Sequence, residues 1–119
     1  MLFRSMEIFG NYECEELQSN LIISPAEGYN PDGPQPTSAR GTISIGGVSM
    51  EINITMNQEM TQQGPVTDLA FSGSRTEPSN YFIAGVGRVG APEFFEMEVA
   101  GGYPTATGVK SFSGNYRRV

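Results

Sequence analysis

The stretch from Val48 to Asn57 constrains the fold more than any other part of the chain. Five apolar and five polar residues alternate there without a break. Successive side chains of a β-strand point to opposite faces, so this pattern directs one set to a core and the other to water. Thr42–Ile45 alternates in the same way, and only Gly46 and Gly47 separate the two segments. Because a Gly-Gly link suits a two-residue turn with positive φ, the pattern predicts a β-hairpin.

The rest of the chain carries further short β-rich segments and no helix of useful length. The short polar run Met56–Gln63 reads as a hairpin loop or a single turn, and Glu27–Ser38 reads as a long Pro/Gly loop. The spacing predicts an all-β, single-domain antiparallel meander of about eight strands closed into an up-and-down barrel, with a β-sandwich as the alternative. The segments outside the central hairpin are Met6–Glu16, Asn20–Ser24, Val66–Ser74, Asn80–Arg88, Glu93–Val99 and Gly108–Arg118.

The two ends of the chain favour closure of the sheet. Gly-Asn-Tyr occurs in the first strand at Gly10–Tyr12 and in the last at Gly114–Tyr116. An open meander would leave both strands as unpaired edges, which invite aggregation, and pairing them removes both edges. The first strand carries acidic residues and the last carries basic ones, so opposite charges across this pair would favour the closed arrangement. The residues concerned are Glu13, Glu15, Glu16, Lys110, Arg117 and Arg118.

Gly10 and Tyr12 on the first strand, with Arg117 or Arg118 on the last, resemble the calycin group of barrels, which includes the lipocalins and avidins. The resemblance implies a barrel whose floor is closed by the first-strand aromatic residue, usually Trp but here Tyr12, beneath the last-strand Arg. The segment Tyr81–Gly90 is similar to the Gly-rich strand of the dirigent and allene oxide cyclase barrels, which implies an alternative function as a barrel cyclase or isomerase.

Composition excludes several kinds of chemistry. The chain has no His and a single Cys, so Ser-His-Asp and Cys-His catalysis, thiolate zinc sites and an internal disulfide are ruled out. Seven basic and thirteen acidic residues give a net charge of −6, which disfavours nucleic acid as a partner. No apolar run is long enough to cross a membrane as a helix. We therefore predict no catalytic residues, no metal, no cofactor, no nucleic acid and no membrane span.

The apolar inventory then favours a non-enzymatic barrel that binds a small apolar or amphipathic ligand. Inward glycines such as Gly85, Gly87 and Gly46 would leave room inside, with a core packed by side chains as the alternative. The Pro/Gly loop would lie near the mouth. The predicted ligand-binding residues are Tyr12, Met50, Ile52, Ile54, Phe71, Tyr81, Phe95 and Met97. The cyclase alternative would use Tyr12, Glu51, Tyr81 and Tyr116. A third possibility is a structural or assembly module that oligomerises through exposed aromatic residues such as Phe82 and Phe94.

Leu2–Ser5 matches the translation of the end of a widely used sequencing adapter, which predicts that residues 1–5 do not belong to the natural chain. A single thiol is compatible with several compartments. The compartment therefore stays open, with the periplasm or extracellular space favoured over the cytoplasm.

Overall fold

A computed structural model describes residues 8–33, 36–76, 81–90 and 96–119. These residues form eight β-strands and no helix, so the predicted all-β meander is confirmed. The predicted leader at residues 1–5, together with Phe94 and Phe95, lies outside the described residues. The strands are β1 (Gly10–Cys14), β2 (Ser19–Pro25), β3 (Ser38–Ile45), β4 (Val48–Thr61), β5 (Gly64–Arg75), β6 (Tyr81–Gly90), β7 (Glu96–Thr105) and β8 (Gly108–Arg118).

The sheet closes into a barrel, as predicted, and does not split into the two layers of a sandwich. Each strand pairs antiparallel with the next, and β8 pairs with β1. The closing pair brings Tyr12 opposite Arg118 and Glu13 opposite Arg117, and the backbone N–H of Val119 donates to the carbonyl of Asn11 at 2.9 Å. The first and last strands therefore pair with each other and are not left as the two open edges of a meander.

Only some of the charged residues predicted to face one another across the closing pair of strands do so. Glu13 lies opposite Arg117, but the guanidinium of Arg117 also pairs with Glu96 of β7 at 3.1 Å. Glu15 belongs to the turn after β1, and Lys110 lies opposite Tyr103 at the far end of β8. The expectation that all the terminal charges face one another was wrong, because β1 is only five residues long and meets the last residues of β8 alone.

The alternating apolar and polar residues of β4 point to opposite faces of the sheet, as predicted. Its apolar side chains from Met50 to Met56 point inward and are 2–7% exposed, while the polar residues between them face solvent. The same rule holds around the barrel and gathers one continuous interior cluster of buried hydrophobic side chains. Burying each aliphatic side chain in such a cluster contributes about 1.5–3 kcal/mol, so the closed sheet is held mainly by its filled interior.

Met56–Gln63 does not form the predicted loop, because β4 continues to Thr61 and the turn comprises Gln62 and Gln63 alone. The extra residues pair with the start of β5, from Asn57 opposite Asp68 to Thr61 opposite Gly64. They are almost all exposed, so both faces tolerate polar residues and no alternation marks the strand. Backbone pairing therefore defines this projecting hairpin, and the Thr61 hydroxyl adds a hydrogen bond to the carbonyl of Gly64 at 2.7 Å.

Because neighbouring strands run in opposite directions, the barrel has two distinct ends. The Arg118 end holds the start of β1, the end of β8 and the loop after β2; the Arg75 end holds the Gly46–Gly47 turn and the β7–β8 turn. Tyr29 of the loop after β2 packs edge-on against Phe9, with ring centroids 5.0 Å apart. The loop expected at a mouth therefore lies at the end that Arg118 covers.

Candidate functional site

Arg118 covers one end of the barrel through contacts with β1. Its guanidinium carbon lies 5.1 Å from the centroid of the Tyr12 ring, and its Nη2 donates to the Tyr12 hydroxyl at 2.9 Å. Its Nη1 donates to the carbonyl of Phe9 at 3.0 Å. A Cβ at Gly10 would lie 2.9 Å from Nη1, so a residue without a side chain is needed for this approach. We refer to Arg118, Tyr12 and Gly10 as the Arg118 cap.

The phenol of Tyr12 is fully enclosed by this cap. Its hydroxyl donates to the carbonyl of Ile8 at 2.6 Å and accepts the bond from Arg118, so its hydrogen-bonding capacity is largely used. Burial raises the pKa of Tyr12 above its ordinary value of 10.0, although the positive charge and hydrogen bond of Arg118 act in the opposite direction. Tyr12 is thus a neutral, fully bonded side chain near neutral pH.

The interior is filled by the side chains that the sequence predicted as a ligand-binding set. Inside the barrel they pack against one another, and all but the half-buried Tyr81 are buried. The glycines expected to leave space are themselves covered: a Cβ at Gly85 would lie 2.4 Å from the Phe71 ring, and one at Gly46 would lie 3.1 Å from the Tyr103 hydroxyl. The predicted residues placed in this way are Tyr12, Met50, Ile52, Ile54, Phe71, Tyr81 and Met97.

Of the phenols nominated for a cyclase mechanism, those of Tyr12 and Tyr116 are fully buried in the interior, which is the feature that such a mechanism would require. Both have structural partners: Tyr12 is held in the Arg118 cap, and the Tyr116 hydroxyl donates to Ser19 Oγ at 2.7 Å. Ser19 Oγ in turn donates to the carbonyl of Ser44 at 2.7 Å. Glu51, the carboxylate nominated for this chemistry, is exposed on the outside of β4. These groups therefore do not meet at one point of the interior.

A shallow groove of about 860 Å³ runs across the outside of β4–β8. Its floor is a lateral row of short side chains that the strand register places side by side, one from each strand. A second row runs parallel to it and carries longer polar and charged side chains. The floor residues are Thr55, Ala70, Val86, Ala100 and Ser113, and the flanking residues are Asn57, Asp68, Arg88, Glu98 and Asn115. We call this concavity the outer groove.

Arg88 organises the charged flank of the outer groove. Its Nε and Nη2 donate to the two carboxylate oxygens of Asp68 at 2.5 and 3.0 Å, and Nη2 also lies 3.1 Å from Glu59. The hydrogen bond from Arg88 lowers the pKa of Asp68, so this carboxylate stays ionised well into the acid range. Three carboxylates, those of Glu59, Asp68 and Glu98, surround one guanidinium, which leaves this flank with two net negative charges.

Acidic and thiol groups do not gather into a further site within the part of the chain that the structure describes. No three of the Cys, Asp and Glu residues there approach one another as metal ligands would. Cys14 is a free, buried thiol, 3% exposed. A search of the described residues for a helix long and apolar enough to cross a bilayer finds none.

Sequence analysis did not predict the outer groove, because its floor consists of residues that carry no chemical signature. Thr55, Ala70 and Ala100 occupy outward positions on three different strands and become neighbours only through the lateral register. The sequence does contain small residues at outward positions of several strands. A prediction of the strand register would have placed them side by side.

Comparison with known proteins adds no relative: no protein-family model, no curated protein and no solved structure matches the chain.

Proposed function

We propose that this chain is a non-enzymatic β-barrel that binds a small apolar or amphipathic molecule, and that the outer groove is where the molecule binds. The observation that carries the proposal is the groove itself. Its volume of about 860 Å³ falls within the range of small-molecule sites, roughly 300–1,000 Å³. Ala70, Val86 and Ala100 give it an apolar floor beside a charged flank.

The close packing of the described interior side chains supports a location on the outside. Barrels of eight strands either pack their interior with side chains or hold one small ligand. Here Phe71 lies over Gly85, and the Tyr12 and Tyr116 side chains are fully buried, so an internal ligand would have to displace close-packed groups. The Arg118 cap supports the proposal that the architecture is calycin-like, with this end of the barrel as a closed floor.

The charges of the flank select among amphipathic ligands. Two net negative charges lie near Arg88, whose guanidinium is already engaged by Asp68 and Glu59. An anionic head group would be repelled there, and its most obvious partner is occupied. A neutral or cationic head group next to the flank, with an apolar body across the floor, satisfies both parts of the groove.

The test fills the groove without touching the interior. Ala100→Trp places a large side chain on the groove floor, where the residue is exposed and the substitution adds no interior volume. Ala106→Trp adds the same side chain in the exposed β7–β8 turn, outside the groove, and serves as the matched control. The probe is Nile red, a neutral apolar dye whose emission rises on leaving water.

We expect wild type and Ala106→Trp to bind Nile red alike and Ala100→Trp to bind it at least about tenfold more weakly, a loss of about 1.4 kcal/mol. The chain has no native Trp, so each introduced indole also reports its own environment. Equal binding by all three proteins would refute the groove as the site. Absence of binding by wild type, repeated with other apolar and cationic probes, would refute ligand binding itself.

The same face supports a second candidate, a structural or assembly module. Phe82 and Val86 lie on the outside of β6 and are 56% and 58% exposed, so two large apolar side chains of one strand face solvent. If this face joins two chains, Phe82→Ser should reduce the mass measured by light scattering to that of a monomer. A wild-type chain that is monomeric over a wide concentration range would eliminate this candidate.

A further inference from the structure

A second Arg–Tyr pair lies at the opposite end of the barrel from the Arg118 cap. Arg75 of β5 stands opposite Tyr81 of β6, and its guanidinium carbon is 5.5 Å from the centroid of the Tyr81 ring. Its Nη1 donates to the carbonyl of Ser49 at 3.2 Å. The two ends are thus built alike, with a guanidinium over a phenol ring and one arm of the guanidinium on a backbone carbonyl.

The two pairs differ in how far their polar atoms are satisfied. In the Arg118 cap, Nη1, Nη2 and the Tyr12 hydroxyl all take part in hydrogen bonds. In the Arg75 pair, both Arg75 Nε and the Tyr81 hydroxyl are shielded from solvent and have no hydrogen-bond partner in the structure. Buried donors without acceptors are costly and rare, and an absent bound group is one of the usual reasons for them.

The unsatisfied atoms define what kind of group would fit. Arg75 Nε can only donate, and the Tyr81 hydroxyl keeps its proton at neutral pH, because burial and the neighbouring Tyr103 raise its pKa although Arg75 acts to lower it. Among the described residues no carboxylate forms an ion pair with Arg75. These two donors, beside a guanidinium that forms no ion pair with a carboxylate of the described residues, match an acceptor-only anion, for which a carboxylate has the right geometry.

Aromatic side chains extend from this pair across the end of the barrel. Tyr103 stacks on Tyr81 with centroids 6.2 Å apart, and Phe112 lies 6.0 Å beyond Tyr103. Arg75 and Tyr81 are half-buried, so part of each side chain reaches solvent at this end. Tyr103 and Phe112 are themselves buried, 8% and 7% exposed. A planar apolar group attached to the anion would therefore meet aromatic surface at the partly exposed Tyr81.

We propose that Arg75 and Tyr81 form a binding site for the carboxylate of a small, preferably aromatic acid. Arg75 Nε and the Tyr81 hydroxyl donate to the carboxylate, and the body of the ligand lies against the exposed part of Tyr81. This site is separate from the outer groove, whose acidic flank disfavours anions, and it does not depend on the function proposed there.

The experiment measures thermal unfolding of the full chain at pH 7 and constant ionic strength. The probes are benzoate, its neutral isostere benzamide, and acetate, which carries the charge without the ring. Tyr81→Phe removes one orphaned hydroxyl and little else. Tyr116→Phe is the matched control, because its hydroxyl is buried but bonded to Ser19.

We expect benzoate to raise the unfolding temperature in a concentration-dependent way, acetate to do so more weakly, and benzamide not at all. Without ligand, Tyr81→Phe should unfold at the same or a higher temperature than wild type, whereas Tyr116→Phe should unfold at a lower one. The apparent affinity for benzoate should fall at least about tenfold in Tyr81→Phe, as loss of a charge-assisted hydrogen bond requires, and remain in Tyr116→Phe. A response to benzamide equal to that of benzoate, no response to benzoate, or an undiminished response in Tyr81→Phe would overturn the proposal.

Discussion

Replacing Arg118 by Met removes the guanidinium of the Arg118 cap while keeping a long apolar side chain beside Gly10 and Tyr12. The substitution eliminates the hydrogen bonds to the Phe9 carbonyl and to the Tyr12 hydroxyl, together with the cation–π contact at 5.1 Å. A hydrogen bond to a charged group contributes about 1.5–3 kcal/mol, and a partly desolvated cation–π contact about 0.5–2 kcal/mol. These contributions are coupled through Tyr12 and do not add fully, so we expect Arg118→Met to lower the free energy of unfolding by about 3 kcal/mol.

The neighbouring residue provides the control. Arg117 lies one position earlier on the same strand, with its side chain 68% exposed and its Nε 3.1 Å from Glu96. Exposed ion pairs contribute about 0–1 kcal/mol, so Arg117→Met should lower the free energy of unfolding by no more than about 1 kcal/mol. The two variants change net charge equally and lie on one strand, which leaves the direction of the side chain as their main difference.

Urea unfolding followed by far-UV circular dichroism measures both free energies. The difference of about 2 kcal/mol corresponds to roughly a thirtyfold difference in the unfolding equilibrium constant. Arg118→Lys should fall between wild type and Arg118→Met, because it keeps the charge and loses the two-armed geometry. Equal losses in Arg117→Met and Arg118→Met would show that the cap contributes no more than a surface ion pair.

Three further predictions concern the interior, alkaline pH and the outer groove. Gly85→Ala should lower the free energy of unfolding by about 1–3 kcal/mol, because the added methyl group overpacks the interior. Gly90→Ala on the same strand, where a Cβ meets nothing within 4 Å, should change it by less than about 0.5 kcal/mol, and equal effects of the two substitutions in urea unfolding would contradict this prediction. Burial raises the pKa of Tyr12 and Tyr116 above 10.0, so the folded chain holds more protons than the unfolded one above that pH. These phenols should leave stability unaffected below about pH 9 and lower it as pH rises beyond 10, and two of the five tyrosines should contribute to the tyrosinate absorbance at 295 nm only when the chain unfolds. If the outer groove binds amphipathic molecules, hexyltrimethylammonium should displace Nile red more effectively than hexanoate, and the reverse order would contradict the charge argument.

The strand architecture was predictable because each β-strand carries its own evidence. In β4 the alternation between Met50 and Met56 depends only on the period of an extended chain, and the Gly46–Gly47 turn fixes how β3 returns beside it. The closing pair was predictable from Tyr12 and the terminal arginines, since edges of a meander are costly. These are properties of one segment or of one pair of segments.

Features that depend on several strands at once were not predictable. The space above Gly85 is filled because register places Phe71 directly opposite it, and the sequence around either residue does not contain that information. The groove floor also depends on the register of several strands. The contrast between Arg75 and Arg118 does so too, because both are arginines at strand ends. Only the positions of nearby backbone carbonyls and phenols determine which guanidinium has all its hydrogen-bond partners.

The closing pair of β1 and β8 is also much shorter than the pair of β5 and β6. In the described part of the chain, β1 and β8 are in register at Tyr12–Arg118 and Glu13–Arg117, whereas β5 and β6 stay in register from Val66–Gly90 to Arg75–Tyr81. The junction of the first and last strands is therefore a seam, and native-state hydrogen exchange should show the amides of β1 opening before those of β5. A circular permutant that joins β8 to β1 by a short linker and begins at Gly47 would move the chain break to a turn and leave the seam covalently fastened.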